Sequence, residues 1–398
     1  MKLEKVAVIG QGYVGFPLAI EVCKVGHFVY GFDISKLRIN QIKNGNPPTE
    51  DVTSESLREL LKSKRYLPTD DFNDIKACEI FIICVPTPLD SDHNPDLKPL
   101  ISAIEVVADL IKPGALIIIE STIAPGTMRT TVLPLIERKS KLLASNFSLV
   151  YSPERIDPLN KKWSIANTPK LISGLDLFAI DRAIEFYAQF VKDLHTCESF
   201  EVAETAKILE NSFRLVNISF INELSVFCNK LGIDINLVIE AAATKPYGFM
   251  PFYPSIGIGG HCIPVDPLYL TNKARELGAP TSLIDIANRV NLEMPWYFVG
   301  RAEEKLGGLN GKKVLIVGIS YKPNVSDVRE TPVESLIIGL KKKNALVSWH
   351  DDLVKEWNGE KSVALGSDYD LAIIATPHDY LDLTKLGNMP ILNTRGSI

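Results

Sequence analysis

The sequence predicts an α/β protein in which two Rossmann-like, parallel-sheet domains are joined by a central, all-helical domain built on one long helix. Three observations predict it: strand and helix patterns alternate at the start, a helical pattern runs unbroken from Phe200 to Leu231, and the last segment repeats the first in outline. Alternating strands and helices are typical of a parallel sheet with helices on both faces. With 398 residues, 46% of them hydrophobic, the chain is long enough for two or three domains.

The first domain is predicted over residues 1–198. Short apolar runs indicate its buried strands, and a helix is expected from Gly12 to Val25. The strand candidates are Lys5 to Ile9, Phe28 to Phe32, Ile80 to Val85, Leu116 to Glu120, Ser148 to Tyr151 and Lys170 to Ser173.

The central domain is predicted over residues 199–306. Its first helix, Phe200 to Leu231, is roughly 48 Å long at 1.5 Å per residue and apolar on most sides. A helix of this kind is buried, and one small domain cannot cover it. We therefore expect it to form the spine of the molecule and part of a homodimer interface. A second helix is expected from Pro280 to Lys305.

The last domain is predicted over residues 307–398, where the chain echoes its own beginning. Four early segments each resemble a later one. VAVIGQGYVG resembles VLIVGISYKP at Val314, GFD resembles WHD at Trp349, FIICVPTP resembles LAIIATPH, and IIIEST resembles ILNTRG. Chance similarity of strand composition is the alternative. Four strands in the same order favour a second Rossmann-like domain.

Composition excludes several classes of protein. A net charge of -5 and the lack of a Lys/Arg run speak against nucleic-acid binding. The N-terminal sequence shows no secretory signal and no apolar stretch approaches the length of a membrane span, so a cytoplasmic protein without membrane contact is expected. The six cysteines form no CxxC pair or Cys/His ladder, which predicts neither disulfides nor a metal site. Five lie in apolar surroundings, typical of small core residues; Cys262 does not.

A dinucleotide site is indicated directly after the first strand. Gly10, Gly12 and Gly15 form G-x-G-x-x-G, with a helix expected to open at Tyr13, so that a pyrophosphate can approach the helix N-terminus. Asp33, at the tip of the second strand, would accept from both ribose hydroxyls and favours NAD over NADP. Arg38, one turn on, could instead contact a phosphate. A glycine turn that only connects strand to helix is the alternative, and the motif alone also fits a methyltransferase or a sensor domain.

Seven segments occur in an order that resembles the UDP-glucose/GDP-mannose dehydrogenase family over essentially the whole chain. They are GQGYVGFPLA, VPTP at Val85, STIAPGT at Ser121, SPERIDP at Ser152, AETAKILENSFR at Ala203, GIGGHCIPVDP at Gly257 and GISYKPNVSDVRETP at Gly318.

Within that family the ATKPYGFMPFYP segment ahead of HCIPVDP resembles the UDP-N-acetylglucosamine branch more than the UDP-N-acetylmannosamine branch. Val265 stands where UDP-glucose dehydrogenases usually carry lysine. Ser255-Ile256 departs from an expected Gly-Pro.

The resemblance implies NAD-dependent, four-electron oxidation of the C6 primary alcohol of a UDP-N-acetylhexosamine, most similar to UDP-GlcNAc, to a uronate for polysaccharide synthesis. Cys262 would carry the thiohemiacetal and the thioester, which water then hydrolyses. A lone loop cysteine is by default a buried hydrophobe. Two observations favour a role for Cys262 as the nucleophile: the resemblance, and the glycines of its loop, which let the backbone approach a ligand. His261 is interpreted as structural.

Lys207 and Asn211 are four apart and share one face of the long helix, with Glu204 and Arg214 continuing the stripe. A solvated or salt-bridged stripe is the alternative. The resemblance implies that Lys207 and Asn211 hold a water and stabilise the oxyanion at C6, and that Arg214 meets the sugar or its acyl group.

Further roles follow from the resemblance. Asp266 is placed to tune the thiol or assist proton movement. Glu154 is the candidate base for the hydrolytic water, with a strand-end salt bridge as its alternative, and Thr122 would position a water or meet the nicotinamide ribose. Lys322 and Arg329 are expected to bind the UDP phosphates and the NAD pyrophosphate respectively. Additional contacts are expected from Tyr13, Val14 and Thr87 to the cofactor and from Arg155, Tyr253, Gly259, Gly260 and Tyr321 to the substrate.

These assignments place nicotinamide against the first domain and uridine against the third, with catalysis in the cleft between them. UDP-N-acetylmannosamine and UDP-glucose stay open as substrates. Two other classes stay open as well. A single-step hydroxyacid-type dehydrogenase would need no cysteine and usually lacks the third domain, and a non-catalytic nucleotide-binding regulator would be free to lose Cys262, Lys207 or Asn211.

Overall fold

The computed structural model of the chain describes residues 3–157, 160 and 162–396. The chain forms two compact units, residues 1–209 and residues 210–398. The division falls inside the long helix, which begins in the first unit and continues through the second. The predicted division into three domains stays a prediction.

The first unit is an eight-stranded sheet with helices on both faces. Its strands are β1 (Lys5–Ile9), β2 (Phe28–Phe32), β3 (Tyr66–Thr69), β4 (Ile80–Ile83), β5 (Leu116–Ile119), β6 (Ser148–Tyr151), β7 (Lys170–Gly174) and β8 (Leu194–Thr196). Its helices are α1 (Gly15–Lys24), α2 (Lys36–Lys43), α3 (Ser54–Lys62), α4 (Lys98–Leu110), α5 (Leu133–Ser140) and α6 (Leu177–Tyr187). A π-helical turn, Met128–Val132, leads into α5.

The strand order in this sheet is β3-β2-β1-β4-β5-β6-β7-β8. Every residue of β4, β5 and β6 is buried, because helices cover both faces of a parallel sheet. One pair departs from the parallel prediction: β6 and β7 are antiparallel, with Val150 opposite Gly174. The described part of the segment between them contains no helix, so the chain turns back instead of crossing over.

The second unit begins with most of α7 (Phe200–Leu231), whose bounds are as predicted. It continues with α8 (Ile235–Ala243), α9 (Asp266–Glu276), α10 (Ser282–Leu306), β9 (Lys313–Val317), α11 (Val333–Lys342), β10 (Leu346–His350), a small hairpin of β11 (Glu356–Trp357) and β12 (Glu360–Lys361), β13 (Leu371–Ile374) and β14 (Ile391–Asn393). Helices α8 and α9 were not predicted, since both are short and follow polar or glycine-rich stretches.

The four-stranded sheet of the second unit has the order β10-β9-β13-β14 and is parallel throughout. This order reproduces β2-β1-β4-β5, so the internal repeat and the predicted fold class are confirmed. Residues of α10 and α11 pack with β9 and β13 in one core cluster. The C-terminal sheet and the second half of the helical region therefore share a core.

Two expectations about helices need correction. Helix α1 begins at Gly15, not at Gly12 or Tyr13, because residues 12–14 form the turn that the glycine motif requires. Helix α7 is not buried on all sides in the single chain. Its large apolar side chains are between 46% and 61% exposed at five positions, Leu209, Phe213, Phe220, Phe227 and Leu231.

In the described part of the chain no helix is long and apolar enough to cross a bilayer.

Candidate active site

The turn after β1 is shaped by close packing on one side and open space on the other. Gly10 lies in the left-handed region, and a Cβ there would stand 2.7 Å from the carbonyl oxygen of Cys84. A Cβ on Gly15 would stand 2.0 Å from the carbonyl oxygen of Gly10. At Gly12 a Cβ would meet nothing within 4 Å. Strand and helix therefore require the outer two glycines, and the middle one leaves room for a pyrophosphate in front of α1.

Asp33 follows β2 and is held firmly. Its carboxylate accepts from the backbone N–H of Gln11 at 2.8 Å and of Ser35 at 2.8 Å, and from the Arg38 guanidinium at 3.2 Å. The Tyr66 hydroxyl donates to the Gln11 side chain at 2.6 Å. Arg38 thus contacts the residue expected to read the ribose, and this supports the preference for NAD.

Two loops at the carboxyl ends of β4 and β5 carry Thr87 and Thr122. Thr87 is buried and Thr122 is half-buried. The Ser121 hydroxyl donates to the carbonyl of Val85 at 2.7 Å and so joins the two loops. Both predicted threonines therefore lie at the sheet edge that also holds Gly10 and Asp33, where nucleotides bind in folds of this kind.

A buried ion pair that the sequence analysis missed lies below these loops. Glu120, at the end of β5, is fully buried, and the Lys170 ammonium lies 3.0 Å from its carboxylate. The hydroxyl of Tyr187 donates to the same carboxylate. Burial raises the pKa of Glu120, against the lowering effect of Lys170. Charged residues at the ends of otherwise apolar strands were the available signal, because such charges are buried only when paired.

Glu154 and Arg155 follow β6 in the first unit. The Glu154 carboxylate accepts from the backbone N–H of Ile156, and the Glu154 N–H donates to the carbonyl of Glu120 at 3.3 Å. Arg155 donates to the carbonyl of Pro169 at 2.8 Å. Glu154 is half-buried and its carboxylate contacts its own turn, and its role as a base stays a prediction. Pro158, the last residue of the SPERIDP segment, lies outside the described residues.

The polar stripe of α7 is buried along most of its length. Glu204 is 0% exposed, and Lys207 and Asn211 are each 7% exposed. Arg214 is exposed. The Asn211 amide donates to the Asp266 carboxylate at 2.6 Å, and Asp266 itself is buried. A solvated stripe is therefore excluded for the first three residues. Asn211 and Asp266, which were predicted separately as site residues, are in contact.

The glycine loop ahead of Cys262 packs tightly on the last segment of the chain. A Cβ on Gly259 would lie 2.6 Å from the carbonyl oxygen of Glu330, and one on Gly260 would lie 2.8 Å from the Tyr321 ring. The Gly260 N–H donates to the carbonyl of Arg329 at 3.2 Å. The loop is thus braced by the segment that was expected to bind UDP.

Helix α10 holds the same loop from another direction. The Asn291 side chain accepts from the Ile258 N–H at 2.6 Å and donates to its carbonyl at 3.3 Å. Upstream, the Ser255 N–H donates to the buried Asn222 side chain of α7 at 2.8 Å, and Ile256 is buried in the core. Ser255 and Ile256, which stand where Gly-Pro was expected, are therefore held by a hydrogen bond and by burial in the core. The sequence pattern did not indicate these contacts.

Cys262 itself is exposed, and its carbonyl accepts from the N–H of Asp266 at 2.8 Å at the start of α9. The other five cysteines are buried or half-buried, as predicted for core residues. Burial lowers the pKa of the neighbouring His261, and the Arg329 cation lowers it further. The imidazole is therefore neutral at neutral pH. Of the six cysteines, Cys262 is the one that is exposed, and it follows a glycine loop that is held by the contacts described above.

The segment after β9 carries the expected cations. Lys322 and Tyr321 are half-buried. Arg329 is exposed and forms an ion pair with Asp327 at 2.6 Å. Tyr253, upstream of the glycine loop, is 53% exposed. Among the described residues, no group of three or more His, Cys, Asp or Glu side chains is arranged to hold a metal ion.

Three family models match the chain in order along its length. Those of the UDP-glucose/GDP-mannose dehydrogenase family match in the NAD binding domain over residues 4–191, in the central domain over residues 201–293 and in the UDP binding domain over residues 315–394. The chain belongs to the UDP-glucose/GDP-mannose dehydrogenase family. The match of the UDP binding domain also argues against the alternative of a hydroxyacid-type dehydrogenase, because enzymes of that type usually lack a third domain.

Relatives and solved structures agree with this family. UDP-N-acetyl-D-glucosamine 6-dehydrogenase of Salmonella typhi is 37% identical over 388 residues, which cover 94% of this chain and 90% of the relative. The enzyme of the same name from Pseudomonas aeruginosa is 38% identical over 360 residues, covering 89% and 84%. The structure of UDP-D-ManNAc dehydrogenase from Pyrococcus horikoshii superposes with a TM-score of 0.89 at 32% identity, covering 98% and 95%.

Membership in this family makes NAD the cofactor, in agreement with the open space at Gly12 and the anchored carboxylate of Asp33. The family and these relatives indicate an NAD-dependent UDP-sugar dehydrogenase.

Proposed function

We propose that the protein oxidises the C6 primary alcohol of UDP-N-acetylglucosamine to the carboxylate, with two NAD reduced per sugar. One observation carries the proposal: an exposed thiol, Cys262, ends a glycine loop that is braced by Tyr321 and Glu330 of the expected UDP-binding segment. A nucleophile placed in this way can reach a group attached to a bound UDP-sugar, and a covalent aldehyde intermediate explains why oxidation continues to the acid.

When bound, NAD would supply the hydride acceptor for C6 in each oxidation. In the first, a base removes the hydroxyl proton while Lys207 stabilises the developing oxyanion. The Asn211 amide carries two N–H groups, and Asp266 accepts from one of them at 2.6 Å. This contact orients the amide so that the second N–H can donate to the C6 oxygen.

The Cys262 thiolate then adds to the aldehyde carbon, the C=O π bond breaks, and the oxygen takes back the proton that the base had removed, which gives a thiohemiacetal. Loss of a second hydride from C6 and a proton from its hydroxyl leaves the thioester. Water activated by Glu154 and positioned by Thr122 attacks the thioester carbon, the C–S bond breaks, and the uronate and the thiol are released.

Binding roles are proposed on the same basis. The cofactor is held by Gly10, Gly12, Gly15 and Asp33. Lys322 neutralises the UDP phosphates, and Arg329 neutralises the pyrophosphate of NAD. For this role Arg329 must exchange its ion-pair partner Asp327 for a phosphate. Arg214 and Tyr253 are exposed and available to the sugar. The uronate product would feed polysaccharide synthesis.

The choice of UDP-N-acetylglucosamine is supported by the two relatives that carry this name and by the ATKPYGFMPFYP segment. UDP-N-acetylmannosamine is the second candidate, favoured by the Pyrococcus horikoshii structure and by a 34% identical relative from the same organism named UDP-N-acetyl-D-mannosamine dehydrogenase.

NADH absorbance with UDP-GlcNAc, UDP-ManNAc, UDP-GalNAc and UDP-glucose tests the proposal directly. The expected result is the highest kcat/KM with UDP-GlcNAc and two NADH per sugar consumed. One NADH per sugar, with an aldehyde as the end product, would contradict the covalent mechanism. A preference for UDP-ManNAc would keep the mechanism and change the substrate.

We also propose a homodimer through α7. Phe213, Phe220 and Phe227 recur every seven residues and therefore form one stripe along the helix, and each is at least 46% exposed. Three exposed phenylalanines in a row are unfavourable in water, and a second copy of the chain is the occupant that the stripe fits. Sedimentation should give twice the chain mass for the wild-type protein, and Phe220→Glu should shift it toward the monomer. A wild-type monomer would contradict this proposal.

A further inference from the structure

Glu204 lies near the start of α7 and is completely buried. Its two carboxylate oxygens accept from two backbone N–H groups of a distant segment, Gly126 at 2.6 Å and Met128 at 2.8 Å. Both partners are donors, so the site requires a group that accepts twice. Hydrogen bonds from N–H groups to a carboxylate are short and roughly twice as strong as those between neutral groups.

The two N–H groups stand at the beginning of a helical stretch, the π-helical turn Met128–Val132 followed by α5. The residue before that turn, Thr127, makes no side-chain capping bond. Glu204 therefore supplies from α7 the negative cap that the local sequence lacks, at the end of a helix that favours negative charge.

The loop between β5 and this turn is tied at both ends. At its start, the Ser121 hydroxyl donates to the carbonyl of Val85 at 2.7 Å. At its end, Gly126 adopts a φ of +89°, and its N–H points to Glu204. Thr122 lies between these two anchors, in the same compact unit as Lys207, which is one helical turn beyond Glu204 on α7.

We propose that Glu204 is a positioning residue for the dehydrogenation: it ties the loop 121–128 to α7 and thereby sets the position of Thr122 relative to Lys207. The inference rests on the proposed function, in which both of these residues act at C6. Glu204 itself touches neither substrate nor cofactor.

The surroundings of Glu204 make its charge sensitive to pH. Burial raises its pKa to about 7, against the opposing effect of the Met128 and Gly126 N–H groups. The charged groups that bear on it are Glu201, on the same helix, and Arg129, in the tethered segment. A protonated carboxyl turns a hydroxyl toward one of the two N–H donors, so the tie is complete only in the ionised form.

The test compares Glu204→Gln with Glu201→Gln in the full-length enzyme. Glu201 is one turn earlier and contacts the same segment through Arg129 at 2.8 Å, but on the surface. In Glu204→Gln one N–H donor faces an amide NH2. We expect kcat to fall about 10- to 100-fold, with KM for both substrates within about 3-fold, because small displacements of reacting groups have effects of this size. Glu201→Gln should stay within about 2-fold.

A double-mutant cycle locates the effect. If Glu204 acts through the loop, Glu204→Gln should lower kcat by about 3-fold or less when it is added to Thr122→Ala. Because the tie is complete only when Glu204 is ionised, kcat of the wild-type enzyme should fall as the pH drops through about 7. This fall should be absent in Glu204→Gln and present in Glu201→Gln. Full additivity with Thr122→Ala, or kcat within 2-fold of wild type in Glu204→Gln, overturns the proposal.

Hydrogen exchange of peptides covering residues 121–132 gives a readout that does not depend on turnover. Exchange should be at least about 10-fold faster in Glu204→Gln than in wild type or Glu201→Gln. Unchanged exchange overturns the proposal even if the wild-type enzyme oxidises none of the sugars, a result that would contradict only the proposed function. If Glu204→Gln does not fold, Glu204→Asp takes its place, since the shorter acid reaches at most one of the two N–H groups.

Discussion

The two Rossmann-like sheets of this chain share a strand order and differ in what stands at their carboxyl edge. In the N-terminal sheet the carboxylate of Asp33 accepts from the Gln11 N–H at 2.8 Å, and in the C-terminal sheet that of Asp351 accepts from the Ile319 N–H at 2.9 Å. The N-terminal carboxylate follows a turn with open space at Gly12. The C-terminal one is completely buried beneath His378, at 3.1 Å.

The helices that follow the first strands differ as well. Helix α1 begins at Gly15, five positions after Gly10, whereas α11 begins at Val333, fifteen positions after Gly318. The longer connection carries Tyr321, Lys322 and Arg329 and braces the cysteine loop. The two sheets share a strand order, so the difference at their carboxyl edges comes from the connection that follows the first strand. The short glycine turn leaves the N-terminus of α1 open in front, whereas the long connection places polar and charged side chains ahead of α11.

The largest effect should come from Cys262, the proposed nucleophile, whose loop the C-terminal segment braces. Cys262→Ala removes the thiolate, and net formation of the acid should fall by about three orders of magnitude or more. NADH formation and product analysis measure it. Cys228→Ala, which changes a buried cysteine in the same unit, serves as the control and should retain turnover. Acid formation by Cys262→Ala near the wild-type rate would show that the braced loop is not the reactive site.

Substitution of the two corresponding aspartates, Asp33 and Asp351, should change different properties of the protein. Asp33→Asn removes the expected ribose acceptor and should raise KM for NAD about 10- to 100-fold with little change in the melting temperature. Asp351→Asn weakens buried bonds to Ile319 and His378 and should lower the free energy of unfolding by about 2–4 kcal/mol with KM for NAD nearly unchanged. Steady-state kinetics and thermal unfolding separate the two. A large rise in KM for NAD in Asp351→Asn would mean that the C-terminal copy also binds the cofactor.

Two buried carboxylates, one in each unit, should respond to pH with opposite signs. Burial raises the pKa of Glu204 to about 7, so its contribution to stability is complete below pH 4.5 and is lost as the pH rises through 7, by about 3 kcal/mol. Burial alone would also raise the pKa of Asp351, but bonds from His378 and Ile319 lower it below 3.8. Its contribution is therefore present above pH 4 and is lost only at more acidic pH.

Unfolding between pH 5 and pH 8.5 tests this contrast. Relative to Glu204→Gln, the wild-type protein should become less stable as the pH rises, while the gap between wild type and Asp351→Asn should stay constant. A constant gap for Glu204→Gln would show that Glu204 is ionised throughout this range.

The smallest effect is expected at the rim of the N-terminal site. Arg38 is 43% exposed in its ion pair with Asp33, and exposed pairs contribute about 1 kcal/mol or less. Arg38→Gln should therefore change KM for NAD by about 5-fold or less, and added salt should reduce the difference. An increase beyond about 20-fold would place Arg38 on the cofactor instead of on Asp33.

Much of this arrangement could be predicted because periodicity and glycine spacing are local properties. The bounds of α7 and of β1 and β2 follow from apolar patterns, and Gly10, Gly12, Gly15 and Asp33 follow from a short motif. The stripe of Lys207 and Asn211 follows from helical spacing. Contacts between distant segments were not accessible in this way. Nothing in the spacing of Asn222 and Ser255, or of Glu120 and Lys170, indicates that these side chains meet.

Local sequence patterns predict the two-sheet fold, the dinucleotide turn and the candidate nucleophile, because each depends on residues close together in the chain. The packing of the folded chain leaves Cys262 exposed, buries Asn211 and Asp266 together and rests the glycine loop on residues 321–330. It also brings Glu204 to the start of a helical stretch 76 positions away. Burial and hydrogen bonding between remote segments depend on how the whole chain packs, and one stretch of sequence does not contain that information.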